Sequence, residues 1–339
     1  MYESFYGLNA KPFQLKPDPS FFYGSKGHKR AMAYLEYGLS QGEGFIVLTG
    51  EVGAGKTTLM RNLFRKLESD KIVAVQIVNT HIDSNDILTL VAAAFGLPYA
   101  RTSKAALLLE IEQFLQRCDR QGKRVLLVVD EAQNLTSETL EELRMLSNFQ
   151  TDEAPLLQTF LLGQPEFKKT LLNQKMQQLR QRVIATYHLG PLDEQETKAY
   201  IEHRLRTVGW QNDPVIDDDA YRLIHLSTGG IPRKINLLCD RMFMMGCLEE
   251  LHHFGEDAVN EVVIDFQQEF ESPHMTTEAA ENAANQPMTE QHMENNLVKV
   301  DLEKMESRLV RMEKSVLFVL DLLKQNLSYG SVKNDFNKR

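Results

Sequence analysis

A chain of 339 residues, 42% hydrophobic and 25% charged, has room for two domains and the composition of an ordinary globular protein. Its formal net charge of −9 speaks against a general nucleic-acid coat, though not against a local basic patch. Three cysteines without metal-ligand spacing suit buried thiols in a reducing compartment; there is no basic-then-apolar leader and no apolar run of membrane-spanning length, so a cytoplasmic protein is expected.

Residues 1–24 hold Phe5, Tyr6, Phe13, Phe21, Phe22 and Tyr23 together with Pro12, Pro17 and Pro19. Proline at that density favours an extended strap over a helix, and its rings are expected to pack along the domain that follows. A helix is predicted over 27–39, with Met32, Leu35, Glu36 and Leu39 spaced at three and four, so that residues 1–42 form an N-terminal strap and helix.

The apolar run 45–49 predicts a buried strand, and it leads into Gly50-Glu51-Val52-Gly53-Ala54-Gly55-Lys56-Thr57, followed by Thr58. This matches G-x-x-x-x-G-K-[ST]. Triphosphate oxygens need backbone N–H groups at close range, and glycines at 50, 53 and 55 remove the Cβ atoms that would obstruct them and permit positive φ. The helix predicted over 57–67, with Leu59, Leu63, Phe64 and Leu67 on one face, adds the positive end of its dipole. Lys56 is placed to meet the β- and γ-phosphates of ATP, and the Thr57 hydroxyl to ligate Mg²⁺. Part of the strap then either covers the adenine or is plain packing.

A second strand is predicted over 72–78, ending at Asn79, then helices over 83–95 and 104–118. After Arg124, the five residues 125–129 form another apolar run, of the kind buried on both faces of a parallel sheet, and it ends in Asp130 and Glu131. Beyond the carboxyl end of a strand is where α/β sheets bind ligands. There Asp130 would hold Mg²⁺ and Glu131 would polarise the attacking water; the plain alternative is that the pair caps the next helix. A helix over 136–148, a strand over 156–162 ending at Gly163-Gln164-Pro165-Glu166, a segment 176–182 carrying Arg180 and Arg182, and a fifth strand over 183–188 complete a doubly wound α/β domain spanning 43–190.

Beyond residue 190 the pattern turns helical, with helices predicted over 194–208, 217–227, 232–248 and 255–270 and no strand among them: a small all-α lid, 191–270. It contains Thr228-Gly229-Gly230-Ile231-Pro232-Arg233, a turn that sets Pro232 in the first turn of a helix. Residues 271–295 read as a flexible linker. In 296–327, Val298, Leu302, Met305, Leu309, Met312, Val316, Val319 and Leu323 form an a/d seam of a coiled coil, which must fold back, self-associate or dock on a partner; residues 328–339 read as a disordered tail.

These motifs resemble an AAA+ ATPase, and more narrowly the ExeA/GspA-like secretion ATPases in the form found beside exosortase and exopolysaccharide loci. The resemblance covers roughly residues 1–270. It rests on Pro12-Phe13 with Pro17-Asp18-Pro19, on the loop 50–58, on Val129-Asp130-Glu131-Ala132-Gln133-Asn134-Leu135, on Gly163-Gln164-Pro165-Glu166, on Gln181-Arg182, and on Gly229-Gly230-Ile231-Pro232-Arg233-Lys234-Ile235-Asn236. It implies a five-stranded P-loop core and Mg-dependent ATP hydrolysis. It also implies Gln164 as sensor 1, although many relatives carry Asn there, Asn79 as the residue restraining the Walker B glutamate, and Arg233 as sensor 2. Arg182, with Arg180 as competitor, would be an arginine finger reaching a neighbouring subunit, so the resemblance implies a homo-oligomer with active sites between subunits. A protein partner, an inner-membrane export or polysaccharide component, would be met through 296–327 and hold the protein peripherally at the membrane. The membrane span and peptidoglycan-binding module of ExeA-type proteins have no counterpart in this sequence. The alternative is a DNA-directed AAA+ regulator resembling transposition ATPases, against which the acidic balance weighs.

Overall fold

The computed structural model describes residues 2–68, 70–78, 86–100, 103–152 and 154–270, with side chains as far as 265. Asn79, the linker 271–295, the heptad segment 296–327 and the tail 328–339 lie outside the described residues.

In chain order the elements before residue 190 are helix α1 (Tyr2–Phe5), α2 (Lys26–Gln41), strand β1 (Phe45–Gly50), α3 (Lys56–Lys66), β2 (Ile72–Ile77), α4 (Ile87–Ala94), α5 (Lys104–Arg120), β3 (Arg124–Val129), α6 (Ser137–Leu146), β4 (Leu157–Gly163), α7 (Phe167–Leu172), α8 (Gln177–Arg180) and β5 (Val183–Leu189). The five strands are all parallel, in the order β2-β3-β4-β1-β5. Successive strand residues point to opposite faces, and both faces are covered. Phe45, Val47, Leu127, Val129, Leu157 and Leu161 join one core, with Val91, Ile111, Leu115 and Leu143 from α4, α5 and α6. Ile46, Leu48, Leu126, Val128, Phe160 and Leu162 join the other, with Ala31, Met32 and Leu35 of α2 and Leu59, Met60 and Leu63 of α3. Each such fully buried side chain contributes about 1.5–3 kcal/mol. That is why these strands read as unbroken apolar runs rather than alternating ones.

The sheet order leaves the phosphate-loop strand between two others, with its neighbours' ends beside it. β1 lies between β4 and β5, with Thr49 level with Gly163 on one side and Gly50 level with Leu189 on the other. Whatever follows β4 therefore emerges next to the loop that follows β1.

The helical domain contains α9 (Glu194–Thr207), β6 (Val215–Ile216), α10 (Asp218–Thr228), α11 (Pro232–Leu248), β7 (His253–Phe254) and α12 (Glu256–Phe270). The expectation of a strand-free domain needs a small correction: β6 and β7 pair in parallel, Val215 with His253 and Ile216 with Phe254. Two-residue strands are too short to show a periodicity.

The N-terminal strap corrects a second expectation. Phe22 packs against the nucleotide domain beside His28, but most of the strap's rings do not. Tyr2, Tyr6, Leu8, Phe13 and Phe21 are buried in the core of the helical domain, with Ile201, Leu205, Met242, Phe243 and Phe254. Tyr6 and Phe13 meet Phe243 edge-on, at centroid distances of 5.2 and 5.3 Å. The strap is also not wholly extended: it opens with α1, and Pro19–Phe21 forms one 3₁₀ turn capped by Asp18. Arg204, 6% exposed, fixes its path, donating from Nε to the Pro12 carbonyl at 2.5 Å and from Nη2 to the Gln14 carbonyl at 3.2 Å while lying over the Phe21 ring. The strap returns to the nucleotide domain at Pro17, whose carbonyl accepts from Arg61 of α3 at 2.6 Å.

Candidate active site

The phosphate loop leaves β1 and runs into α3, with Gly53 at φ 84° and Gly55 at φ 98°, the left-handed backbone predicted for it. Gly50 differs. It lies in β1 and needs no positive φ; a Cβ there would stand 2.6 Å from the Leu189 carbonyl oxygen, so glycine is required by the neighbouring strand. Ala54 is buried in the core beneath the loop, while Glu51 and Val52 face outward.

Lys56 is 7% exposed, and its Nζ donates to the Gly50 and Glu51 carbonyls at 2.7 and 3.0 Å. Burial pushes its ammonium below the ordinary lysine range, against the pull of Glu131 and Asp130. Thr57 Oγ1 donates to Asp130 Oδ2 at 3.0 Å, and Gln76 Nε2 of β2 donates to the same oxygen at 3.2 Å. Burial raises the Asp130 carboxyl above its usual range, and the hydrogen bonds it accepts from Thr57 and the Glu131 N–H oppose the rise. Glu131 follows in the left-handed region, at φ 53° and ψ 40°. Its Oε2 accepts from Gln164 Nε2 at 3.2 Å and from Gln133 Nε2 at 2.6 Å. Lys56, Thr57, Asp130, Glu131 and Gln164 are thus brought together at the carboxyl ends of β1, β3 and β4.

Arg233 comes from the other domain. Gly229 and Gly230, both left-handed, turn the chain so that α11 starts against the phosphate loop. The Arg233 N–H donates to the Gly53 carbonyl at 3.2 Å, and a Cβ at Gly53 would fall 2.3 Å from that of Arg233. The exposed Arg233 side chain, Thr58, Lys56 and Glu131 line one cleft with Lys16, Pro17 and Tyr23 of the strap and Tyr200 and Arg204 of α9. About 1040 Å³ of it is empty, open mouth included, which is the scale of a nucleotide site.

Arg182 and Arg180 are not in this cleft. Arg182 Nη1 donates to the Ser147 carbonyl and to Ser147 Oγ, both at 3.0 Å. Arg180 Nη1 donates to the Leu171 and Asn173 carbonyls at 2.5 and 2.7 Å. Arg182 stands just before β5, its carbonyl accepting from the Phe45 N–H at the start of β1. The phosphate loop begins at the other end of that strand, ~16 Å away at the usual rise per residue.

Three neighbours of the site carried no assigned role in the sequence. Gln133 touches both Glu131 and Gln164, its Oε1 accepting from the Gln164 N–H at 3.0 Å. His28, 6% exposed, lies under the loop, its Nε2 2.8 Å from where a Cβ at Gly55 would sit and its Nδ1 2.8 Å from Ser25 Oγ. Burial lowers its pKa. Arg204 is the third. The signal for His28 was Ser25, which caps α2 through the His28 N–H and so fixes the ring's position; an isolated amide such as Gln133 gives no comparable spacing.

A parallel five-stranded sheet with a phosphate loop after β1 and a carboxylate pair after β3, the next strand but one, is the core of a P-loop ATPase fold of the AAA+ kind. The AAA domain family matches residues 39–171. Within the class, the chain is similar to general secretion pathway protein A of Aeromonas hydrophila, 43% identical over 242 residues, which are 71% of this chain and 44% of that protein. It shares 33% identity over 90 residues, 26% of this chain and 25% of that one, with a protein described as a putative ORC1-type DNA replication protein 1 of Thermoplasma acidophilum. The chain spans less than half the length of either relative. Among solved structures, the Aeropyrum pernix ORC2 protein (ADPNP–ADP complexes) superposes with a TM-score of 0.59 at 18% identity, over 76% of this chain and 72% of that one. At that identity the likeness concerns the fold.

Proposed function

We propose that the protein binds ATP with Mg²⁺ in the cleft between phosphate loop, strap and helical domain, and hydrolyses it. The observation that carries this reading is the Thr57–Asp130 contact at 3.0 Å with Glu131 one residue on, both beside a loop whose left-handed glycines leave room for phosphate oxygens. Thr57 and Asp130 are the hard oxygen donors Mg²⁺ takes alongside phosphate and water, and the ion when bound would neutralise charge on the β- and γ-oxygens. Loop N–H groups and the amino end of α3 receive the phosphates, and Lys56 exchanges its two carbonyl partners for them. Glu131 orients the attacking water and takes its proton, with Gln164 beside it. Arg233 reports the nucleotide to the helical domain, to which the phosphate loop is joined through Gly53.

Arg182 is read as the finger for a neighbouring copy, because it stands at the sheet end opposite its own phosphate loop; Arg180, with two carbonyl partners of its own, is the weaker choice. The protein then works as a homo-oligomer, and Asn79 restrains Glu131 until a partner engages. The similarity to general secretion pathway protein A supports a role in driving or regulating an envelope secretion or exopolysaccharide/exosortase-linked system, peripheral at the inner membrane through a partner met by 296–327. No helix among the described residues is long and apolar enough to cross a membrane. A DNA-directed role has less behind it, a 90-residue match.

Replacing Glu131 with Gln tests the reading. ATP should remain bound while turnover drops by about 10³-fold or more, since the carboxamide cannot take the proton. A Glu131→Gln protein that hydrolyses ATP at the parent rate removes Glu131 from the mechanism.

A further inference from the structure

Glu131 leaves β3 in the left-handed backbone region, which a residue with a side chain seldom adopts. The turn continues as a 3₁₀ helix over Ala132–Asn134, with Ala132 fully buried. That geometry returns the Gln133 carboxamide to Glu131, and both ends of the amide are used. Nε2 donates to Glu131 Oε2 at 2.6 Å; Oε1 accepts from the Gln164 N–H at 3.0 Å. Gln164 Nε2 closes the ring by donating to the same Glu131 oxygen at 3.2 Å. Gly163 keeps the seat open: a Cβ there would stand 3.3 Å from Gln133 Oε1 and 3.0 Å from Phe167 Cβ.

We propose that Gln133 is a positioning residue for hydrolysis, tying the Glu131 carboxylate to the end of β4 so that Glu131 and Gln164 move as one unit. This rests on the reading of Glu131 as the base. Only an amide of this length has a donor for the carboxylate and an acceptor for the backbone N–H. Alanine removes both bonds. Glutamate keeps the shape but sets a second carboxylate against Glu131. A shift at the end of β4, where Gln164 contacts Glu131, is passed to the base through this amide.

The test uses the full chain, with kcat and KM for ATP, binding of a fluorescent ATP analogue, and the melting temperature. Gln133→Ala should lower kcat by about 10–100-fold, the scale of a catalytic group misplaced by about 1 Å, with analogue affinity within about twofold of the parent. Gln133→Glu, which preserves packing, should also lose kcat, so the result does not depend on how well the alanine variant folds. Gln133→Ala/Gln164→Ala should lose no more than the worse single variant, as members of one unit do. The inference is overturned if both Gln133 variants keep kcat within about twofold, if the losses multiply, or if analogue affinity falls in step with kcat. Glu131→Gln in the same series separates the two readings. Its continued turnover would sink the base assignment; a silent Glu131→Gln beside unimpaired Gln133 variants would sink only the inference.

Discussion

The two ends of the central sheet are furnished differently. At the carboxyl ends of the strands, Lys56, Thr57, Asp130, Glu131, Gln133 and Gln164 are bonded to one another or to the loop that carries them. At the amino end, Arg180 and Arg182 are each held by carbonyls of their own chain, and neither borders the cleft. One end has the donors, the proposed base and the proposed metal ligands; the other has cationic charge. Charge that stabilises a transferring phosphoryl group must stand within a few ångströms of it, and a rigid parallel sheet does not bring its ends together. On the proposed reading, the difference teaches that a single chain holds the parts of the site on two separate surfaces.

The largest effect that would sharpen this contrast is expected at Arg182. Arg182→Ala should lower the ATPase rate by about 10³-fold, as loss of an arginine finger does, with ATP affinity within about twofold of the parent. Arg180→Ala should cost less in rate and more in stability, because it frees the Leu171 and Asn173 carbonyls. If Arg180→Ala alone silences the enzyme, the roles are exchanged.

The next effect concerns how the helical domain is held. Arg204 is buried against carbonyls, the Tyr200 hydroxyl and the Phe21 ring. Arg204→Ala should destabilise the protein by about 2–4 kcal/mol in urea unfolding, through lost charge-assisted hydrogen bonds and two stranded carbonyls. Arg204→Lys should recover little, because an ammonium cannot reproduce the fork. A variant as stable as the parent would show that the aromatic core alone holds the strap.

The smallest effect is a pH dependence under the phosphate loop. Burial depresses the His28 pKa from its ordinary 6.5, so as the pH falls through that value the unfolded chain takes up a proton the folded chain does not. Stability linked to His28 is therefore complete above the ordinary histidine range and is lost as the pH drops below it. Melting temperature should fall between pH about 7.5 and about 5.5, and His28→Gln should make that fall shallower. An unchanged slope in His28→Gln would mean that His28 does not titrate in this way.

What the sequence made legible follows from how each feature is built. The inner strands β1, β3 and β4 were readable because each is buried on two faces and so is largely apolar, and the phosphate loop because its chemistry fixes residue types at fixed spacing. Asp130 and Glu131 were readable as a pair at a strand end. The strap was half readable: Tyr2, Tyr6 and Phe13 declare that they must be buried, but nothing local says that Phe243 and Phe254, more than 200 residues on, are what they pack against. Pairing of β6 with β7 is a tertiary contact of two-residue segments. The Gln133 bridge depends on a left-handed Glu131 and on the sheet order that brings Gln164 alongside, and neither leaves a mark in the neighbouring residue types.

The most direct measurement mixes two inactive proteins. Glu131→Gln lacks the proposed base and Arg182→Ala lacks the proposed finger, and each should be silent alone. In co-assembled complexes, a site formed by the Arg182→Ala chain's Glu131 and the Glu131→Gln chain's Arg182 has both groups. The account predicts that ATPase activity reappears on mixing, to a sizeable fraction of the parent rate. Silent mixtures that are shown to co-assemble would contradict it, placing base and finger in the same chain.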